Sequence, residues 1–296
     1  MARPFRFGVV TGGARSRSAW LDQVRRIEAL GFDTLVMPDN LAHLPAVFPA
    51  LAAAAAVTER LHLGTYVLAN DLRHPVLVAK EAATLAMLSD GRFELGLGAG
   101  RPDAALENRM LGLPFDQGGV RLERLEESIG IIRRLLAGET VTARGTHYTV
   151  DDAVIALRAE GAPPVPLLVA ASRPRMLRLA GRVADGVALG VGYETTEQAK
   201  ATLVEQVRVG AGGRFDDLEL DLNLMAVGGI VPRFLAGRVD PEALAARGSV
   251  AVVSGTPADM ADQLRQRRET LGVSYLLVGE ELADAFAPVA ELLRDS

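Results

Sequence analysis

Three short stretches of this 296-residue chain carry the side chains and spacings best suited to chemistry. The first is Asp39-Asn40, a carboxylate and an amide directly after Leu35-Val36-Met37-Pro38. A carboxylate there could accept a hydrogen bond from a ring N–H or serve as an acid or base; a helix N-cap or a loop ion pair is the equally weighted alternative. The second is Gly96-Leu97-Gly98-Ala99-Gly100-Arg101. Its glycines lack the Cβ that would hold off a flat ring or a phosphate, although glycines at such places also serve turns. The third is Ala170-Ala171-Ser172-Arg173 before Pro174. Small residues, a hydroxyl and a cation there precede a helix start, whose amides and dipole favour a phosphate; an ordinary serine N-cap is the competing reading.

Other chemistries lack their residues. With no cysteine, thiol nucleophiles, disulfides, thiolate metal sites and iron–sulfur clusters are excluded together, which suits a cytoplasmic protein. The histidines, His43, His62, His74 and His147, show no metal-ligand spacing, so no metal is expected. There is no G-x-S-x-G elbow and no P-loop. A net charge of −5 without a basic stripe, and an aromatic content of 5%, argue against nucleic acid as a partner. The longest apolar stretch, residues 48–57, is mostly alanine, contains Pro49 and falls short of the roughly 20 residues that span a bilayer. Residues 1–11 do not read as a signal peptide, so no membrane association is expected.

The elements that must position the three stretches alternate along the chain. Residues 5–10 read as a strand, followed by Trp20, Val24, Ile27 and Leu30 at helical spacing up to Gly31. Further strands are expected at 34–37, 61–68, 93–97, 167–170, 186–189, 218–231 and 275–278, each with a helix signal after it. One such helix carries Leu122, Leu125, Ile129, Ile132 and Leu136 on a single face. Another opens with Thr256-Pro257-Ala258-Asp259, a threonine N-cap with proline at the first helical position. Short, nearly all-apolar strands between amphipathic helices imply a parallel sheet with both faces covered. Eight such units permit closure, so the expected fold class is α/β, a (β/α)8 TIM barrel forming one domain over residues 1–296. A doubly wound sheet is the rival, but Gly12-Gly13 after the first strand lacks the G-x-G-x-x-G spacing. Segments near 141–165 and 232–250 fall outside the repeat and are expected as rim insertions. In a barrel of this kind the site lies at the C-terminal strand ends, where all three stretches fall.

A longer set of matches carries a family resemblance. It comprises Glu28-Ala29-Leu30-Gly31-Phe32-Asp33-Thr34 with Pro38-Asp39, Leu63-Gly64-Thr65, Arg73-His74-Pro75, the run over 88–100, Arg175-Met176-Leu177-Arg178-Leu179-Ala180, Ala184-Asp185-Gly186-Val187 and Ser254-Gly255-Thr256-Pro257. In this order the chain resembles the luciferase-like monooxygenase superfamily, specifically its coenzyme F420-dependent oxidoreductase branch. The resemblance implies a (β/α)8 barrel that transfers a hydride between F420 and a small-molecule substrate, with FMN as the alternative cofactor. It also implies a homodimer, to which the alanine-rich second helix and Ala82, Ala83 and Ala86 would lend close helix contacts.

Carried over residue by residue, the resemblance puts Asp39 and Asn40 at the ring as the catalytic polar groups and a non-prolyl cis peptide at Tyr66-Val67 behind it. Gly98, Ala99, Gly100 and Arg101 would border the ring and ribityl chain, and Ala170, Ala171, Ser172 and Arg173 would hold the phosphate. Two departures stand out. Many relatives place histidine where this chain has Asn40, which removes a titratable donor. Relatives also commonly carry a glycine run before Arg-Met-Leu, where this chain has Ala171-Ser172-Arg173-Pro174-Arg175. Side chains there either crowd the phosphate or bind it more tightly, so a barrel that has lost its cofactor is a further reading. The loop over 151–165, where relatives shape the substrate entrance, departs too and leaves the substrate open.

Overall fold

Apolar runs bounded by caps and glycines set the elements of this chain, seen in a computed structural model that describes residues 3–101, 104–157, 163–190 and 192–294. In order they are β1 (Arg6–Val10), α1 (Arg17–Ala29), β2 (Thr34–Met37), α2 (Val47–Ala55), β3 (His62–Thr65), β4 (Leu68–Ala69), α3 (Pro75–Leu88), β5 (Phe93–Gly98), α4 (Ala105–Met110) and α5 (Gly118–Leu136). There follow β6 (Val141–Arg144), β7 (Thr149–Ala153), β8 (Leu167–Ala171), α6 (Pro174–Val183), β9 (Gly186–Leu189), α7 (Glu197–Ala211), β10 (Glu219–Leu224) and β11 (Ala226–Val227). The chain closes with α8 (Pro241–Ala246), β12 (Val252–Val253), α9 (Pro257–Leu271), β13 (Val273–Gly279) and α10 (Ala283–Leu293).

The expected caps are present at α9. Thr256 and Asp259 form a reciprocal capping box with Pro257 in the first turn, and Gly272 ends the helix at φ +72°. Three boundaries differ from the sequence reading. The strand expected over 61–68 is divided into β3 and β4 by the cis Tyr66-Val67 peptide. The run over 218–231 divides into β10 and β11. The turn-rich segment after α5 is an antiparallel hairpin, β6 with β7, anchored by only two buried valines, Val141 and Val150. Residues 158–162 of the expected rim insertion lie outside the described residues.

By contacts the chain divides into two compact units. The first holds residues 1–11, 22–36 and 171–296. Its parallel ladder runs β2, β1, β13, β10, β9, with Gly8 opposite both Thr34 and Leu277. A Cβ on Gly8 would lie 2.3 Å from Thr34 Oγ1, so glycine here makes room for the buried hydroxyl pair Thr34–Tyr275, 2.7 Å apart. Phe7, Phe32 and Phe286 form the aromatic centre of this unit. Backbones of α6 and α7 approach closely, because a Cβ on Gly181 would stand 2.3 Å from Val207 O.

The second unit holds residues 12–21 and 37–170. Here β3 and β4 both pair with β5, and β5 pairs with β8, all parallel. Helices α2, α3 and α5 bury Leu51, Val78, Leu85, Leu125, Ile129 and Ile132 at helical spacing. Among the described residues no helix is long and apolar enough to cross a membrane.

Candidate active site

In the second unit, Asp39 follows β2 and its side chain is only 6% exposed. Both of its oxygens face one guanidinium: Arg73 Nη1 donates to Oδ2 at 2.5 Å and Nη2 to Oδ1 at 3.2 Å. Oδ2 also accepts the Ala69 N–H at 3.3 Å. A ring N–H would have to share the remaining lone pairs of a carboxylate already engaged in a forked ion pair. Behind Arg73 lies Glu81 of α3, whose carboxyl is pushed up by burial and by Asp39 against the opposing pull of Arg73. Glu81 Oε2 is buried without a hydrogen-bond partner. One guanidinium thus faces two carboxylates, and Asp39 takes both of its arms. Asn40 accepts the N–H groups of Ala42 at 3.1 Å and His43 at 2.8 Å through Oδ1, closing a turn. Its amide NH2 is what the side chain has left to offer.

Tyr66-Val67 is a cis peptide, and the Tyr66 N–H donates to Met37 O at 2.7 Å. The glycines of β5 answer to this neighbour. A Cβ on Gly96 would lie 2.0 Å from Thr65 O, and one on Gly98 would lie 2.9 Å from Val67 Cγ2. Neither position is a turn; the space is occupied by Val67 and the Thr65 carbonyl. Gly100 does serve a turn, at φ +82°. The carbonyls that follow β5 converge on Arg121 of α5, whose Nη1 donates to Ala99 O at 2.9 Å, Gly100 O at 3.0 Å and, at the limit, Arg101 O at 3.5 Å. Arg101 is exposed and pairs with the buried Glu107 at 3.1 Å.

The hairpin β6–β7 is fastened beside these strand ends. Glu127 of α5 accepts the N–H groups of His147 at 3.0 Å and Tyr148 at 2.8 Å. Tyr148 OH accepts from Asn70 Nδ2 at 3.1 Å, and its ring meets His74 edge-on at 5.5 Å. Burial pushes the Tyr148 phenol up from its ordinary value. Asp71 pairs with Arg124 at 2.9 Å, and Arg124 also bonds Asp116.

Of the proposed phosphate residues, Ala170 ends the second unit, half-buried. In the first unit Ala171 is buried and its carbonyl accepts the Gly190 N–H at 2.8 Å. Ser172 and Arg173 are exposed. The serine N-cap reading does not hold: the N-cap of α6 is Arg173, with Pro174 in the first turn, and no side chain caps it. Proline excludes Ser172 from that role because the fixed φ of Pro174 starts the helix one residue later. Elsewhere in this unit the ends of β1 and β13 are joined through polar side chains. Thr11 donates its hydroxyl to Glu280, and Gln23 Nε2 donates to both Glu280 and, at 2.9 Å, Thr11. A carboxylate so held at a strand end can accept a substrate hydroxyl. Sequence reasoning missed Glu280, whose signal is its place directly after the apolar run Leu276-Leu277-Val278 and Gly279. It missed Arg121 as well, because nothing local marks an arginine in a helical first turn.

Comparisons with known proteins agree with the resemblance. The luciferase-like monooxygenase family matches residues 3–233. The F420-dependent glucose-6-phosphate dehydrogenase of Beutenbergia cavernae is 44% identical over 206 residues, 67% of this chain and 59% of that protein. The chain spans between 56% and 66% of the length of the first curated relatives it matches. Among solved structures, an F420-dependent secondary alcohol dehydrogenase in complex with an F420-acetone adduct superimposes with a TM-score of 0.81 at 18% identity, covering 99% of this chain and 100% of that one. The coenzyme F420 dependent tetrahydromethanopterin reductase from Methanopyrus kandleri superimposes with a TM-score of 0.78, also at 18% identity, covering 98% and 100%. The fold class is accordingly the (β/α)8 TIM barrel expected from the eight alternating units.

Proposed function

The chain belongs to the luciferase-like monooxygenase family, and from that premise we propose that it is an oxidoreductase transferring a hydride between coenzyme F420 and a small organic substrate. The relatives named F420-dependent glucose-6-phosphate dehydrogenase support both the cofactor and a hydroxylated, phosphorylated substrate, so glucose 6-phosphate is the first compound to test. The structural observation that carries the reading is the start of α6, where no side chain caps the helix and Ser172 and Arg173 stand exposed. First-turn amides, a hydroxyl and a guanidinium suit a phosphate monoester or diester. The donors therefore fit the cofactor, with Ala170 and Ala171 adding no bulk.

When bound, the deazaflavin supplies the hydride-accepting carbon. The chain's own residues bind and orient. Asp39 fixes Arg73 and the Ala69 amide at the ends of β2 and β4, and Asn40 offers an NH2 donor that does not titrate near neutral pH. Tyr66, Val67, Gly98, Ala99, Gly100 and Arg101 form the ring-side surface, while Ala170, Ala171, Ser172 and Arg173 take the phosphate.

The reading extends to a cytoplasmic homodimer built from single-domain barrels with rim insertions near 141–165 and 232–250. Support for the dimer comes from Ala53 of α2, Ala56 just after it, and Leu77, Met87 and Leu88 of α3, which are exposed, whereas Ala82 is buried within the chain. The test is to mix purified protein with F420 and glucose 6-phosphate and follow the deazaflavin's visible absorption. Bleaching that requires both protein and sugar phosphate supports the proposal. Binding of F420 without bleaching moves the search to other alcohols, and no F420 binding overturns it.

A further inference from the structure

Arg121 sits in the first turn of α5, where the helix dipole disfavours a cation, and α5 has neither an acidic first-turn residue nor a side-chain N-cap. It is nonetheless buried, 9% exposed, with its guanidinium 4.3 Å over the Phe115 ring and its Nε without a hydrogen-bond partner. Among the described residues no carboxylate neutralises it. What it does have is main chain: Ala99 O at 2.9 Å, Gly100 O at 3.0 Å and Arg101 O at 3.5 Å. A Cβ on Gly100 would come within 3.2 Å of Arg121 Nη1, so glycine keeps the loop at this separation. Burying a guanidinium is costly unless its surroundings compensate, and here the compensation is the conformation of residues 98–101.

We propose that Arg121 is a positioning residue for the cofactor: it holds the main chain of 98–101 in one conformation before the cofactor arrives. The C=O and N–H of a trans peptide point in opposite directions, so drawing the Ala99 and Gly100 carbonyls towards Arg121 turns the Gly100 and Arg101 amides away from it. A cation at the carbonyl end also polarises those peptide units and strengthens their N–H groups as donors. The ligand chemistry this suits is a carbonyl or anionic oxygen on the edge of a planar ring. The inference rests on the F420 reading above, and Arg121 acts through the loop.

Arg267 of α9 supplies a matched control. It too is a largely buried guanidinium on carbonyls, with Val252 O at 2.9 Å and Val250 O at 3.1 Å, but in the first unit. Arg121→Met, Arg121→Lys and Arg267→Met would be compared with the wild type by amide hydrogen exchange over residues 98–101 and by fluorescence titration with F420. In Arg121→Met the loop amides should exchange about tenfold faster and F420 should bind about tenfold more weakly, with Arg121→Lys between it and the wild type. Arg267→Met should lose thermal stability yet keep loop exchange and F420 affinity within about twofold. Should Arg121→Met not fold, Arg121→Lys alone decides, since all three carbonyls are held from Nη1 and a lysine ammonium ends one bond short of it. Unchanged loop exchange in a folded Arg121 variant, or an equal loss of affinity in Arg267→Met, overturns the inference. A wild type that fails to bind F420 overturns the cofactor reading and this role with it; a wild type and an Arg121→Met that bind equally overturn this role alone.

Discussion

Replacing Asp39 by alanine should lower stability as well as turnover, because the carboxylate that lies after β2 is the forked partner of Arg73. Removing one member of a buried ion pair costs about 3–5 kcal/mol when the other is left uncompensated. Two features of this site reduce that figure. Arg73 retains 23% side-chain exposure, so water reaches it. Glu81 also faces Arg73, and Asp39 is one of the causes that hold the Glu81 carboxyl up. With Asp39 gone, Glu81 ionises more readily and takes over part of the pairing. The expected loss for Asp39→Ala is therefore about 2 kcal/mol, with a larger loss for Asp39→Ala combined with Glu81→Gln. Arg73→Met on top of Asp39→Ala should cost less than the sum of the single changes, by about 1 kcal/mol or more. Urea unfolding followed by circular dichroism at pH 7 gives the stability of the wild type and of the four variants, Asp39→Ala, Arg73→Met and the two double changes. A loss below about 0.5 kcal/mol for Asp39→Ala, or strict additivity with Arg73→Met, would refute the pairing as the main role of this carboxylate.

Three further outcomes follow from the same geometry. Burial pushes the Lys200 ammonium down to about 8 from its ordinary 10.5. The unfolded chain therefore binds more protons between those values, and wild-type stability should rise by up to about 3 kcal/mol from pH 8 to pH 10.5 relative to Lys200→Met; parallel unfolding curves across that range would contradict this. Gly98→Ala places a Cβ 2.9 Å from Val67 Cγ2 and should cost about 1–3 kcal/mol, recovered in part by Val67→Ala, while Gly96→Ala, aimed at the Thr65 carbonyl, should cost more. Thermal melts rank the three variants. Ser172→Tyr, at an exposed position, should leave the melting temperature within about 2 °C yet weaken F420 binding about tenfold, and equal affinity would remove Ser172 from the phosphate site.

What was legible in the sequence is what local periodicity encodes. The apolar strands and the amphipathic helices α5, α9 and α10 stood out because each buries one stripe or both faces, and Thr256 with Asp259 marked a start that the hydrogen bonds reproduce. The hairpin β6–β7 was not legible, since only Val141 and Val150 face inward and its register depends on Glu127, about 20 residues away. The site shows the same division. Candidate positions after the strands could be named, but their partners could not: Arg73 lies 34 residues from Asp39, and Glu280 lies 269 residues from Thr11. The glycines of β5 illustrate why, for their missing side chains answer to Val67 and Thr65 on a neighbouring segment, and no spacing within β5 records that contact.

The most direct measurement is a fluorescence titration of the purified protein with F420 and, separately, with FMN. Saturable binding of F420 in the micromolar range, with FMN bound at least about tenfold more weakly, is the expected result. Preference for FMN would contradict the deazaflavin assignment and point to oxygen-dependent chemistry, and binding of neither would leave a barrel of this family without its cofactor.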